Sequence, residues 1–416
     1  MSVQQEALVQ NRKVWPALNL VEAAPILGDA MERSLSTLGK SKLPDSNHEL
    51  WRYTRPELFG FDRLEDRSAV RCALRPHDGG ALLPTAAGIE VLEGEPARTQ
   101  GQQAFKQLFG ALGSDLALDS FAALNLVSAS SITLVQISKQ ARSLDPWRLS
   151  QLISNTAARS AAPLIVITVA AGARCSIVED LDFNYAGLYF PRVEILLGDG
   201  CEFEFTSVQR LALSASYAAR HRLHVGRDVN ARVLHVATGA NASRVDLDCR
   251  LHQPGSSVDL CAWYLADGRR HVDFHPTQDH LAPHCRSDLM YKGVLRDHGR
   301  AVYYGYIRVA EGAQKTDAYQ TNRNMLLSSD ARADSIPNLR IQANDVRCSH
   351  GSSVGQVGTD ELFYLMSRGL TRSMAEELLV QGFTEDLLTR VKNPLIREFA
   401  RGVILERIEQ APLTLS

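Results

Sequence analysis

A cysteine and a histidine two residues apart form the most chemically suggestive pair in the chain. Cys348-Ser349-His350 lies in a stretch that reads as strand, and on a strand positions i and i+2 point to the same side. Thiol and imidazole would then stand side by side. An imidazolium would depress the thiol pKa, and together the two groups could bind iron or sulfide. The structural alternative is a pair at a strand end whose histidine closes the last coil by hydrogen bonds.

Other constellations are weaker. His271, His275, His280, His284 and Cys285 crowd into HVDFHPTQDHLAPHC, and imidazole and thiolate suit borderline metals. Pro276 and Pro283 would break any helix aligning them, so these residues are expected to hydrogen-bond the turns of a strand array, and the isolated chain to hold no metal tightly. Gly351-Ser352-Ser353-Val354-Gly355 fits G-x-S-x-G, but no histidine follows His350 to complete a triad. Leu38-Gly39-Lys40-Ser41 resembles the end of a phosphate loop, yet Ser34 stands where its first glycine belongs. No ATP site is expected on this chain. Cys72, Cys175, Cys201, Cys249, Cys261, Cys285 and Cys348 are odd in number and lack a C-x-x-C pair, which argues against a zinc knuckle or a disulfide framework.

The elements that must position these residues fall into three regions. Residues 1–125 read as mostly helical. Asn47-His48 is a possible cap, Phe105, Leu108, Phe109 and Leu112 fall on one helix face, and Gly79-Gly80 and Glu93-Gly94-Glu95-Pro96 punctuate a few strands and turns. From 126 to 357 short alternating runs such as Ile132–Ile137 and Leu164–Val169 predict strands. Turn glycines followed by such runs recur at Gly172, Gly200, Gly226 and Gly255, with further units at Gly299 and Asp330. Spacings of 28, 26 and 29 residues between the first four suit the coils of a β-helix, each burying its inner face against its neighbours. A β-sandwich is the competing reading.

Residues 358–416 read as four helical segments, opening near Thr359, Thr371, Thr384 and Pro394, with Gly369 ending the first and Gly382 the second. Because solenoid coils depend mainly on their neighbours, this tail is expected to be removable without unfolding the core.

The 416 residues carry 45 Lys+Arg against 47 Asp+Glu, a net charge of -2, which argues against general nucleic-acid binding. No apolar run reaches the roughly 18 to 20 residues of a membrane helix, and the N-terminus lacks a signal-peptide core, so a soluble, cytoplasmic protein is expected.

Many short motifs in order carry a family likeness. His271-Val272-Asp273, His280, Ser287, Tyr291-Lys292-Gly293-Val294, the run Ala313 to Gln320, Asn322-Arg323-Asn324, Leu326-Leu327-Ser328, Ile336-Pro337-Asn338-Leu339, the run Asp345 to Gly351, Leu362-Phe363-Tyr364-Leu365 and Ser367-Arg368-Gly369 resemble the SufB/SufD family of iron–sulfur cluster assembly proteins. Trp51-Arg52-Tyr53-Thr54 and Phe121-Ala122-Ala123-Leu124-Asn125 are similar to its N-terminal region, whereas 55–104 find no match. Ser349-His350-Gly351 is similar to the SufD branch; SufB typically has Glu-His-Glu there. Ser352-Ser353 departs mildly from the Ala-Thr that usually follows.

The resemblance implies a right-handed parallel β-helix core with an N-terminal helical region and a C-terminal helical domain. It also implies no independent enzyme activity. Such a protein pairs with SufB through the β-helix end, where His350, with Cys348, would serve a transient iron–sulfur cluster. Its C-terminal helices, through Leu362, Phe363, Tyr364, Arg368 and Gly369, would receive the SufC ATPase. A homodimer of the isolated chain through the same edge stays open. The alternatives from other classes are a β-helix carbohydrate-active enzyme, for which no paired carboxylates stand out between 160 and 340, and a stand-alone homodimeric binding module.

Overall fold

The structure, a computed structural model, describes residues 31–34, 36–38, 49–79, 83, 85–109 and 120–409. Asn47-His48, Gly39-Lys40-Ser41, Gly80 and Leu112 lie outside the described residues. The centre of the chain is a parallel β-solenoid of about eight turns. Its two walls are a 13-stranded and a 9-stranded sheet.

The recurring glycines mark one wall. Arg174–Leu181, Glu202–Gln209, Asn230–Ala237 and Ser257–Ala266 follow Gly172, Gly200, Gly226 and Gly255, and each strand pairs in parallel with the next. Gly200 has φ +65°, a conformation that only glycine adopts without a Cβ penalty, and so lets the turn close. The units at Gly299 and Asp330 belong to the other wall, as Arg300–Val309 and Arg332–Ile341. Their strands therefore do not continue the first series, which accounts for the longer gap before Gly299.

That other wall reads poorly from hydropathy because its outer face is charged. Ser216–Val225, Ala242–Leu251 and His271–His280 carry Arg220, Arg222, Asp246, Asp248 and Arg250 outward while Leu223, Leu247 and Cys249 face the core. Ion pairs such as Arg222–Asp248 at 2.9 Å and Arg244–Asp273 at 3.0 Å satisfy these charges under a covering layer. Arg244 lies 4.0 Å from the Trp51 ring centroid, and Arg192 donates to the Ala122 carbonyl.

The covering layer is built from short 3-10 turns over Glu49–Trp51, Pro56–Leu58 and Phe61–Glu65, and from helices α1 (Gly94–Phe109) and α2 (Ser120–Val127). Trp51, Phe59, Phe61, Phe121 and Phe190 pack ring against ring there. Glu93-Gly94-Glu95-Pro96 leads directly into α1, with Pro96 in its first turn, where its missing N–H costs nothing. Two strands close the N-terminal end of the solenoid: Val70–Pro76 runs antiparallel to Arg142–Ile153, and Ile89–Glu93 antiparallel to Ser131–Ile137.

The C-terminal region forms α3 (Thr359–Ser367), α4 (Arg372–Leu388) and α5 (Pro394–Glu409). The sequence reading of separate helices at Thr371 and Thr384 is corrected: one helix runs through Gly382. Thr384 caps nothing; it is buried and accepts a hydrogen bond from Trp263 Nε1 at 3.1 Å. Burial of the Val380, Leu387 and Leu388 face outweighs the roughly 1 kcal/mol cost of a mid-helix glycine. Asn393 caps α5, its Oδ1 accepting from Leu395 N at 3.1 Å.

The tail is packed on the core. α4 and α5 bury one apolar cluster with Val178, Val208, Leu234, Trp263, Met290 and Val294 of the 9-stranded wall. Truncation near 358 would expose that face to water, which argues against a cleanly separable tail.

Candidate functional site

The two ends of the solenoid differ. At the C-terminal end the last strands, Arg332–Ile341 and Arg347–Gln356, each pair on one side only, with Arg300–Val309 and Asp317–Leu326. Their outer N–H and C=O groups meet no strand among the described residues.

Register places the candidate residues on this edge. Cys348, His350, Ser352 and Val354 stack on Ala318, Gln320, Asn322 and Asn324, four buried positions of the preceding strand. They therefore form the inward-facing row of the last rung, as the i, i+2 spacing predicts. With no further coil above, the row opens outward: His350 is exposed, Val354 is 43% exposed, and Leu339 and Ile341 on the opposite wall are 37% and 40% exposed. Across this mouth Ser352 Oγ donates to Ser335 Oγ at 2.8 Å.

The floor of the mouth is hydrogen-bonded. Beneath His350, Gln320 accepts from Tyr303 Oη at 2.8 Å and donates to the Asn338 carbonyl at 3.2 Å. Beside it Asn322 donates to Tyr264 Oη, Tyr264 donates to Asn324 Oδ1, and Asn324 donates back to Asn322 Oδ1, at 2.7 to 3.0 Å. A satisfied buried ring of this kind fixes strand register. Gly293 makes room for it, since a Cβ there would meet the Tyr264 ring at 2.1 Å. These side chains explain Gln320, Asn322 and Asn324 of the sequence motifs structurally.

Cys348 behaves differently from the sequence expectation. It is partly buried against Ile307, Val309, Ala313 and Ala318, and desolvation raises its thiol pKa above the usual value, with Asp317 adding to the rise and a backbone hydrogen bond from Ala318 opposing it. The expected depression by a neighbouring imidazolium is overturned. Burial dominates, and the group rests as a thiol. As donors, an exposed imidazole and a thiol on one rung can fill only part of a four-coordinate iron shell.

The other motifs separate. Gly351 to Gly355 runs along the edge strand, where G-x-S-x-G forms no strand-to-helix elbow. His271–His280 is a single strand. His271 and His275 face outward, meeting Thr54 at 2.9 Å and Asp273 at 2.8 Å, while His280 faces the core and meets Ser287 at 2.8 Å. His284 is exposed in the following turn beside buried Cys285. Among the described residues no group of three or more His, Cys, Asp and Glu could hold a metal ion.

Of the helical candidates, Phe363 is 74% and Tyr364 56% exposed, with the Arg368 guanidinium 5.2 Å from the Tyr364 ring centroid. Leu362 is buried and supports α3 from within. Gly369, φ +96°, closes the helix: its N–H bonds the Met366 carbonyl, and the Leu370 N–H bonds the Leu365 carbonyl. Met366, Met374 and Leu378 are exposed nearby and were missed; 374 and 378 at i, i+4 were the available signal.

Comparison with known proteins agrees with this architecture. Residues 152–383 match the family model described as the SufBD core domain of SUF system FeS cluster assembly. The chain is 27% identical over 376 residues to an iron–sulfur cluster assembly SufBD family protein of Mycobacterium tuberculosis, covering 88% of this chain and 90% of that one. It is 24% identical over 394 residues to the iron–sulfur cluster assembly protein SufD of Escherichia coli, covering 91% and 92%. With the SufD of Bacillus subtilis it shares 28% identity over 218 residues, 52% and 49% of the two chains. No helix among the described residues is long and apolar enough to cross a membrane. The match over more than half its length, on a solenoid whose last rung carries the Cys348-Ser349-His350 motif, shows that this chain belongs to the SufBD family of iron–sulfur cluster assembly proteins of the SUF system.

Proposed function

We propose that the chain is a SufD-type scaffold subunit, without enzymatic activity or an ATP site of its own, that works in the cytoplasm. It pairs with SufB through the open last rung, where His350 and Cys348 contribute ligands to a transient iron–sulfur cluster whose remaining ligands come from the partner. The observation that supports this most is the exposed inward-facing row at the solenoid end, with His350 among unpaired strand groups and half-exposed Leu339, Ile341 and Val354. A partner coil stacked there would pair the strands, bury the apolar residues and enclose the histidine in one step. An interfacial site also gives the product a way out when the chains separate.

The outward residues of α3 and α4, Phe363, Tyr364, Arg368, Met374 and Leu378, form the surface on which SufC docks. α4 is fastened to the solenoid wall through Lys292, which bonds the Phe383 carbonyl at 2.8 Å and pairs with Asp386. A pull on these helices by an ATP-driven partner would be transmitted to the sheet that ends in His350.

Co-purification with candidate SufB and SufC subunits, followed by anaerobic cluster reconstitution, tests the proposal. A stable three-component complex that builds a cluster is expected; a chain that binds neither subunit would overturn it.

A further inference from the structure

The outer face of the 13-stranded wall holds an arrangement that the cluster-assembly reading does not use. A cleft of about 320 Å³ opens there, lined by Arg220, Arg250, Arg308 and Arg340 against only Asp246 and Asp248 as carboxylates. Its volume falls at the lower end of small-molecule sites.

Register explains why positive charge accumulates. Arg250, Asp279, Arg308 and Arg340 stack on successive strands in one column. Asp279 accepts from Arg308 at 2.7 Å, and nothing acidic follows, so Arg308 and Arg340 stand as neighbours on adjacent strands. Asp279 compensates Arg308 alone, so the Arg308–Arg340 pair keeps one net positive charge that a bridging anion would meet. Arg308 Nε is buried without a hydrogen-bond partner among the described residues, and Arg340 is exposed on the last strand of this wall. Asp248 is taken up by Arg222 and Arg250, each at 2.9 Å, and Asp246 by Arg244 at 2.9 Å with Arg220 at 3.6 Å. An aromatic side completes the cleft: Tyr306 lines it, and Tyr304, whose hydroxyl donates to Glu49 at 2.6 Å, stacks on His275 with centroids 5.3 Å apart.

We propose that this cleft binds a small multivalent oxyanion, of the phosphate or polycarboxylate type, bridging Arg308 and Arg340. Guanidinium groups present paired N–H donors matched to two oxygens of either anion, and the cleft walls exclude part of the competing water. The site is separate from the inward row of His350, because the arginines lie on the opposite face of their strands from the core.

Isothermal titration of the full chain with sodium pyrophosphate, and separately with sodium citrate, tests it. Saturable binding of at least one anion is expected, weakened about tenfold in Arg340→Ala and again in Arg308→Ala. The affinity should be unchanged in Arg332→Ala, whose guanidinium pairs with Asp334 on the same strand. Which anion binds distinguishes the phosphate from the carboxylate source. Circular dichroism checks that the variants keep the fold. No saturable heat from either anion at millimolar concentration, or equal affinity in the wild type and Arg340→Ala, would overturn the proposal. Either result leaves the inward row of His350 untouched, since Arg308, Arg332 and Arg340 point to the opposite face of their strands from the core.

Discussion

His350 and Cys348 are two residues apart and adjacent on the same row, yet their surroundings differ. His350 is exposed and its side chain makes no hydrogen bond to a described residue, so His350→Ala should change stability by less than about 0.5 kcal/mol. In a complex with SufB and SufC the same change should stop cluster formation while assembly persists. Normal cluster yield from that complex would remove His350 from the site and leave the chain contributing shape alone. Cys348 is a thiol raised by burial, so its alkylation by iodoacetamide should accelerate only at a higher pH than that of a free cysteine, because less thiolate exists at any given pH. His350→Ala should not move that profile; a shift to higher pH in the variant would mean that the imidazole does stabilise the thiolate.

Among the elements, α3 and α4 separate an exposed face, the proposed SufC dock, from a packed one. Phe363 points to solvent, so Phe363→Asp should leave the thermal midpoint nearly unchanged and abolish SufC capture. Trp263 lies at the centre of the seam between the 9-stranded wall and α4, fully buried and bonded to Thr384. Trp263→Ala should cost roughly 3 to 5 kcal/mol and free the helices from the sheet. A pull-down in which Phe363→Asp still captures SufC, or a denaturant titration in which Trp263→Ala is silent, would show that the docking and packing faces have been exchanged. Point variants are the proper probes here, since truncation of the tail would uncover the apolar wall.

At the scale of the whole molecule, the solenoid interior makes stability depend on pH. His221 and His235 face each other in the core at 2.9 Å, and His280 lies at its far end; desolvation holds His235 to about 3, His280 to about 4 and His221 well below the usual value. The unfolded chain takes up these protons near pH 6.5, whereas the folded chain does not. Stability is therefore complete above about pH 6.5 and falls as the solution is acidified towards pH 4, by about 1.4 kcal/mol per pH unit for each proton refused. Buried Glu179, whose carboxyl is raised by desolvation, has the opposite sign and offsets part of the loss. Urea titrations between pH 7 and 5 should show falling midpoints at constant slope, and a flat profile would mean that the core histidines are hydrated.

The coils at Gly172 to Gly255, the helix start at Pro394 and the placement of Cys348 and His350 on one side of a strand were legible because each is set by local rules. Turn glycines, period-two alternation and the i, i+2 direction of side chains act within a few residues. The charged wall was hidden, since Arg222, Asp248 and Asp273 look like solvent-facing residues until partners 26 to 29 positions away and a covering aromatic layer neutralise and bury them. Thr384 and Gly382 misled for a related reason: propensity favours a break there, and only contact with Trp263 and the sheet overrides it. The thiol of Cys348 was misjudged because protonation answers to the solvent around a group as well as to its neighbour in sequence, and that solvent is excluded by Ile307, Val309 and Ala313 from other coils. Sequence alone determined which residues repeat and which way they point. The stacking of coils, which sets what lies above and below each of them, decided that Glu179, His221 and His280 are sealed in the core while His350 stands at an open edge.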